Sequence, residues 1–81
     1  MSLEVRWSGV CNEDVRRIPW RTAARVCAAV IEFAQTGEGP VESIVGGDPF
    51  LFGVRVRGAV AIARVDVDGR AILVLRVYPA R

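Results

Sequence analysis

The chain carries eleven arginines and no lysine or histidine. The arginine fork suits planar, bidentate recognition of phosphate and carboxylate, and its guanidinium stacks on nucleobases. Without histidine, a Ser-His-Asp triad and histidine acid–base catalysis are excluded, and the residue set argues against a zinc centre. Tyr78 is the single tyrosine. No metal and no cofactor are expected. High-GC coding also enriches arginine over lysine, so placement must carry the argument. Two cysteines are too few for a disulfide scaffold. Cys27 sits in an apolar helical run, and both thiols are expected to be free. Gly46-Gly47 reads as a plain turn, because no P-loop lysine or following helix supports a phosphate cradle.

The elements that must position these residues follow from periodicity. Residues 3–8 alternate, with Leu3, Val5 and Trp7 opposite Glu4, Arg6 and Ser8, as a half-buried strand does. Asn12 with Glu13 and Asp14 reads as a helix start with acid in its first turn, and Pro19 ends that helix at Ile18. A second helix over 20–35 stops at Thr36-Gly37. Its expected apolar stripe is Trp20, Ala23, Ala24, Cys27, Val30, Ile31 and Ala34. Residues 36–49 read as a loop. Three strands follow, over 50–57, 59–67 and 71–78, with turns at Arg57-Gly58 and Val67-Asp68-Gly69-Arg70.

Strand, two helices and three strands predict an α+β domain, β-α-α-β-β-β, with a mostly antiparallel sheet and both helices on one face. Eighty-one residues fit one domain, 1–81. At 52% hydrophobic and 25% charged, the chain is too apolar for a disordered tail. No apolar run reaches the ~18–20 residues of a membrane helix. The opening Met1-Ser2-Leu3-Glu4-Val5 lacks a basic stretch followed by an apolar one, so no secretory signal is expected. The expected compartment is the cytoplasm.

Strand alternation then places the arginines. If no bulge breaks the parity, one face carries Arg6, Arg55, Arg57, Arg64 and Arg76, with Glu4 and Asp66 as its acids and Arg81 at its edge. Such a face suits a phosphate-rich or acidic partner. A solvated outer face is the structural alternative. The same face is expected to hold Leu51, Val60, Ile62, Ile72 and Val74, which leaves two strands apolar on both sides. Strands of that kind are ordinarily covered twice, so a protein partner or a second copy is expected on the open side.

Several segments together resemble toxins of the RelE/ParE superfamily from type II toxin–antitoxin modules. Val5-Arg6-Trp7-Ser8 is similar to the first strand of that family, and Glu13-Asp14-Val15-Arg16-Arg17-Ile18-Pro19 to its first helix. Ala23-Ala24-Arg25-Val26 through Ala34 is similar to its second helix. Ile44-Val45-Gly46 stands where the family has a Leu-Lys-Gly run. Phe52-Gly53-Val54-Arg55-Val56, Arg64-Val65-Asp66 and Val74-Leu75-Arg76-Val77 resemble its last strands.

The resemblance implies a RelE-like, ribosome-dependent mRNA endonuclease that inhibits translation. A cognate antitoxin would neutralise it in a hetero-oligomeric complex. Its implied catalytic set is Arg55, Arg81 and Tyr78, with Arg6, Arg55, Arg57, Arg64 and Arg76 on RNA phosphates. That set departs from the family. Gly53 stands where a second basic residue is often found. Arg57-Gly58-Ala59-Val60 stands where the family frequently has Gly-Asp-Tyr-Arg, and the family's later tyrosine would lie beyond Arg81. Two alternatives therefore stay open: a ParE-like toxin that poisons DNA gyrase without cleaving RNA, and a catalytically degenerate RelE-fold protein that only binds an antitoxin.

Overall fold

The computed structural model describes residues 2–44 and 48–80. Seven elements follow one another. Strand β1 spans Glu4–Trp7, helix α1 Gly9–Arg16 and helix α2 Trp20–Thr36. Strands β2, β3, β4 and β5 span Val41–Ser43, Leu51–Val56, Ala59–Asp66 and Ala71–Pro79. They form one sheet in the order β1-β5-β4-β3-β2. Only β1 and β5 pair in parallel. The expected α+β order is present, with one addition: the segment read as a loop contains β2, which pairs with β3 from Val41↔Val54 to Ser43↔Phe52. Three residues are too few for alternation to reveal a strand.

Helix α1 begins earlier than its sequence suggests. Ser8 is the N-cap, and its hydroxyl accepts the Cys11 N–H at 2.9 Å. The same hydroxyl donates to the Leu75 carbonyl at 2.9 Å. Gly9 opens the helix rather than ending the strand, so Asp14 lies in the last turn and not the first. Helix α2 follows Pro19 at its N-cap and ends at Gly37, whose φ of 76° supplies the left-handed cap.

The buried side of α2 is Thr22, Val26, Ala29, Val30 and Ala34. The expected stripe is thus rotated: Val30 and Ala34 are buried, but Trp20 is 74% and Ile31 44% exposed. Ala24 is exposed too, and Cys27 is half-buried. Alanine occupies both candidate stripes, so hydrophobicity alone could not fix the helix's rotation.

Inside, α2 packs mainly on β3 and β4 and α1 on β5, over a core that includes Phe52, Val54, Ala59, Ala61, Ala63, Ile72, Val74 and Val77. Small alanines along β4 let the helix approach the sheet closely. Phe33 of α2 meets Phe52 with ring centroids 5.0 Å apart. Phe50, expected at the start of the 50–57 strand, lies before β3 and is 42% exposed. A turn closed by Asp48 Oδ1 on the Phe50 N–H, at 2.9 Å, holds it there.

A β-bulge corrects the expected parity of β5. Ile62 pairs with Arg76 and Ala63 with Val74, which leaves Leu75 as the extra residue. Ile72 and Val74 are therefore core residues with no exposure, not outer-face residues. Leu73 and Leu75, expected inside, are only half-buried. Val77, Arg76 and Tyr78 keep their expected sides. No helix among the described residues is long and apolar enough to cross a membrane.

Candidate functional site

The helices cover one side of the sheet, and the other side is the candidate site. Cross-strand register defines its rows. Arg55, Val60 and Tyr78 form one row. Glu42, Gly53, Ile62 and Arg76 form the next. Leu51, Arg64, Leu73 and Arg6 form the third. Paired residues on adjacent strands share a face, so Arg6, Arg55, Arg64, Arg76 and Tyr78 are brought together as expected. Leu51, Val60, Ile62 and Leu73 are half-buried between them. Arg57 sits just past β3, exposed, in the two-residue turn with Gly58. Gly58 has φ 95°, and a Cβ there would meet Thr22 Oγ1 at 3.1 Å. This turn is pinned against the start of α2. Arg81 lies outside the described residues. The last described residue, Ala80, donates its N–H to the Gly58 carbonyl at 2.9 Å.

Acids balance this face more fully than Glu4 and Asp66 alone would. Arg6 pairs with Glu4 at 3.1 Å and Arg55 with Glu42 at 3.2 Å. Arg64 pairs with Asp48 at 3.0 Å, and its guanidinium lies 5.9 Å from the Phe50 ring. Arg76 donates Nε and Nη2 to Asp14 at 2.8 and 3.2 Å. Three of the acids, Asp14, Glu42 and Asp48, come from segments whose fold placed them here. Asp66 instead accepts the Gly69 N–H at 3.1 Å within its own hairpin. The Phe50 N–H and the Arg64 guanidinium hold Asp48 below the usual carboxylate range. The Arg76 guanidinium and the Val77 N–H do the same for Asp14.

Glu42 is the residue that sequence reasoning missed. It lies opposite Gly53, where an added Cβ would stand 3.4 Å from Glu42 Cγ and 3.5 Å from Oε1. The absent side chain at Gly53 lets the carboxylate lie across the face toward Arg55. A carboxylate accepts a proton, which no arginine on this face can do. The signal available in the sequence was the pairing of a glycine on an arginine strand with an acid in the preceding loop, and it is too weak to stand without the register.

Among the described residues, no group of three or more Cys, Asp or Glu could hold a metal. Cys11 and Cys27 are free thiols, and burial pushes Cys11 up to about 11. The described face offers guanidiniums, one phenol and the exposed carboxylates of Glu4 and Glu42.

No protein-family model and no curated protein matches the chain. Solved structures do. A chain of the toxin–antitoxin complex RelBE2 from Mycobacterium tuberculosis superposes with a TM-score of 0.82 at 17% identity, over 99% of this chain and 93% of that one. The RelE–RelB complex from Pyrococcus horikoshii gives 0.79 at 18% identity, over 98% and 96%. The isolated Escherichia coli RelE toxin gives 0.77 at 12% identity, over 99% and 86%. The chain has the fold of RelE toxins.

Proposed function

We propose that this protein is the toxin of a type II toxin–antitoxin pair and acts as a RelE-like, ribosome-dependent mRNA endonuclease in the cytoplasm. The observation that carries the reading is the open sheet face. On a RelE fold, it gathers Arg6, Arg55, Arg64, Arg76 and Tyr78 and lays one carboxylate beside Arg55. Cleavage at a phosphodiester needs a base for the 2′-hydroxyl, charge at the pentavalent phosphorus and a proton for the leaving 5′-oxygen. Glu42 is the base in this scheme. Arg55 and Arg76 stabilise the phosphorane, as preorganised charge does. Tyr78, 43% exposed beside Arg76, donates to the leaving oxygen. Arg57 and Arg64 engage flanking phosphates, and Arg81 adds to the set at the chain's end. The apolar residues between the arginines are the surface an antitoxin segment covers, and the neighbouring RelB–RelE complexes support such a partner.

The test is induced expression of the chain alone in a bacterial host, with growth followed beside primer extension on a translated reporter mRNA. Growth arrest with codon-phased cuts is the expected result. Arrest without cuts moves the reading to a gyrase-type poison. No arrest, with folded protein present, overturns toxicity. One observation favours that last outcome: Val60 stands between Arg55 and Tyr78 in the row nearest the Arg57-Gly58 turn, and the arginines around it are already ion-paired. A RelE-fold protein that only binds an antitoxin would look the same.

A further inference from the structure

Asp14 is 7% exposed and lies in the last turn of α1. A carboxylate there faces the negative end of the helix dipole. No group of α1 donates a hydrogen bond to the Asp14 carboxylate. What holds it is 62 residues away. Asp14 Oδ2 accepts from Arg76 Nε at 2.8 Å and from the Val77 N–H at 3.0 Å, and Oδ1 accepts from Arg76 Nη2 at 3.2 Å. Strand β1 stops at Trp7, opposite Val74. Beyond that point the β5 edge is open, and Asp14 takes the place of a neighbouring strand at Val77.

The grip is on the side of the guanidinium, through Nε and Nη2. The end-on pair formed by Nη1 and the second Nη2 hydrogen stays free. Arg76 Cζ lies 5.2 Å from the Tyr78 ring, which fixes the plane from a second direction. Arg76 lines a groove of about 260 Å³ together with Asp14, Arg17, Ile18, Val77, Tyr78 and Pro79. Arg17 also acts on the Asp14 charge, so two cations and one anion leave the groove net positive. Arg76 pairs with Ile62 in the middle row of the face and is the diagonal neighbour of Val60.

We propose that Asp14 is a positioning residue: it holds Arg76 side-on so that the free end of the guanidinium binds a phosphate group in this groove, at the β5 edge of the open sheet face. The assignment rests on the reading of that face as a phosphodiester site. Orientation is its content. A guanidinium already fixed in its binding pose loses little side-chain freedom when phosphate arrives.

The experiment is a titration of the full chain with inorganic phosphate, followed at the arginine Nε–H resonances by ¹H–¹⁵N NMR. The Arg76 Nε–H is expected to be protected from solvent exchange and to move saturably with phosphate. Asp14→Asn is expected to remove the protection and weaken phosphate binding at Arg76 by about tenfold or more. Arg76→Lys keeps the charge on an exposed side chain and loses the fork, while the Asp14 carboxylate keeps its bond from the Val77 N–H. This variant is expected to weaken phosphate binding to a similar degree, and adding Asp14→Asn to it should change little further. Phosphate binding that is unchanged in Arg76→Lys, or wild-type protein in which phosphate does not move Arg76, overturns the proposal. A wild-type chain that binds phosphate at Arg76 but yields no codon-phased cuts sinks the nuclease reading and leaves Asp14's role standing.

Discussion

Arginine can neutralise a phosphorane and cannot deprotonate a hydroxyl at neutral pH, so an arginine face cleaves RNA only with a proton acceptor beside it. Glu42 is the acceptor within hydrogen-bond reach of Arg55. Glu42→Gln keeps the shape and removes the basicity. General-base loss is worth about 10²–10⁴-fold, and on the proposed nuclease reading a fall of that size is expected in single-turnover cleavage on translating ribosomes. A second prediction separates base from clamp: Arg55→Ala should also slow cleavage, by about 10²–10³-fold as for other preorganised charges, but should leave the pH dependence of the remaining rate in place. Glu42→Gln should flatten it. An unchanged rate in Glu42→Gln removes that residue from the mechanism. Arg6, Arg55, Arg64 and Arg76 were legible in the sequence because alternation puts them on one side; Arg57 lies in the turn past β3 instead. Glu42 was not legible, because its place depends on β2, a three-residue strand, and on the missing side chain at Gly53.

At the scale of elements, two local devices decide which side chains face the core. The first is the bulge at Leu75. It puts Ile72 inside and Leu73 outside, against simple alternation. Ile72→Ala is expected to cost about 2–5 kcal/mol, as large-to-small changes at buried sites do. Leu73→Ala should cost well under half as much, and chemical denaturation of the two variants measures the difference. Equal costs would contradict the bulge. The second device is Gly58, where left-handed backbone and contact with Thr22 coincide. Gly58→Ala is expected to destabilise by about 1–3 kcal/mol, and it would loosen the turn that carries Arg57. The order of elements could be read from the sequence, since turn residues and Pro19 punctuate it plainly. The start of α1 could not. Gly9 reads as a strand terminator, while the Ser8 cap depends on its hydroxyl also reaching Leu75 across the sheet. That shift moved Asp14 from the first helical turn to the last, and so from a routine helix-start acid to the partner of Arg76.

Across the whole molecule, acid–arginine pairs join segments that are distant in sequence: α1 to β5 through Asp14–Arg76, β2 to β3 through Glu42–Arg55, and the turn before β3 to β4 through Asp48–Arg64. The chain has no histidine, so no side chain with an ordinary value between pH 5 and 8 titrates on folding. Its pH–stability profile should therefore be a plateau with two limbs of different origin. On the acid side, Asp14 and Asp48 are depressed in the fold. The unfolded chain takes up their protons first, so their contribution is complete above the ordinary aspartate value of about 3.9 and is lost as pH falls through the lower folded values. On the alkaline side the sign reverses. Burial raises the Cys11 thiol from 9.0 to about 11, so the unfolded chain releases that proton first. Stability held below about 9 is lost as pH rises toward 11. Urea unfolding at a series of pH values should show both limbs. Asp48→Asn should shallow the acid limb alone, and Cys11→Ala should shallow the alkaline limb alone at some loss of packing. A profile that slopes between pH 5 and 8, or an acid limb unmoved by Asp48→Asn, would mean that these pairs do not tie the segments together.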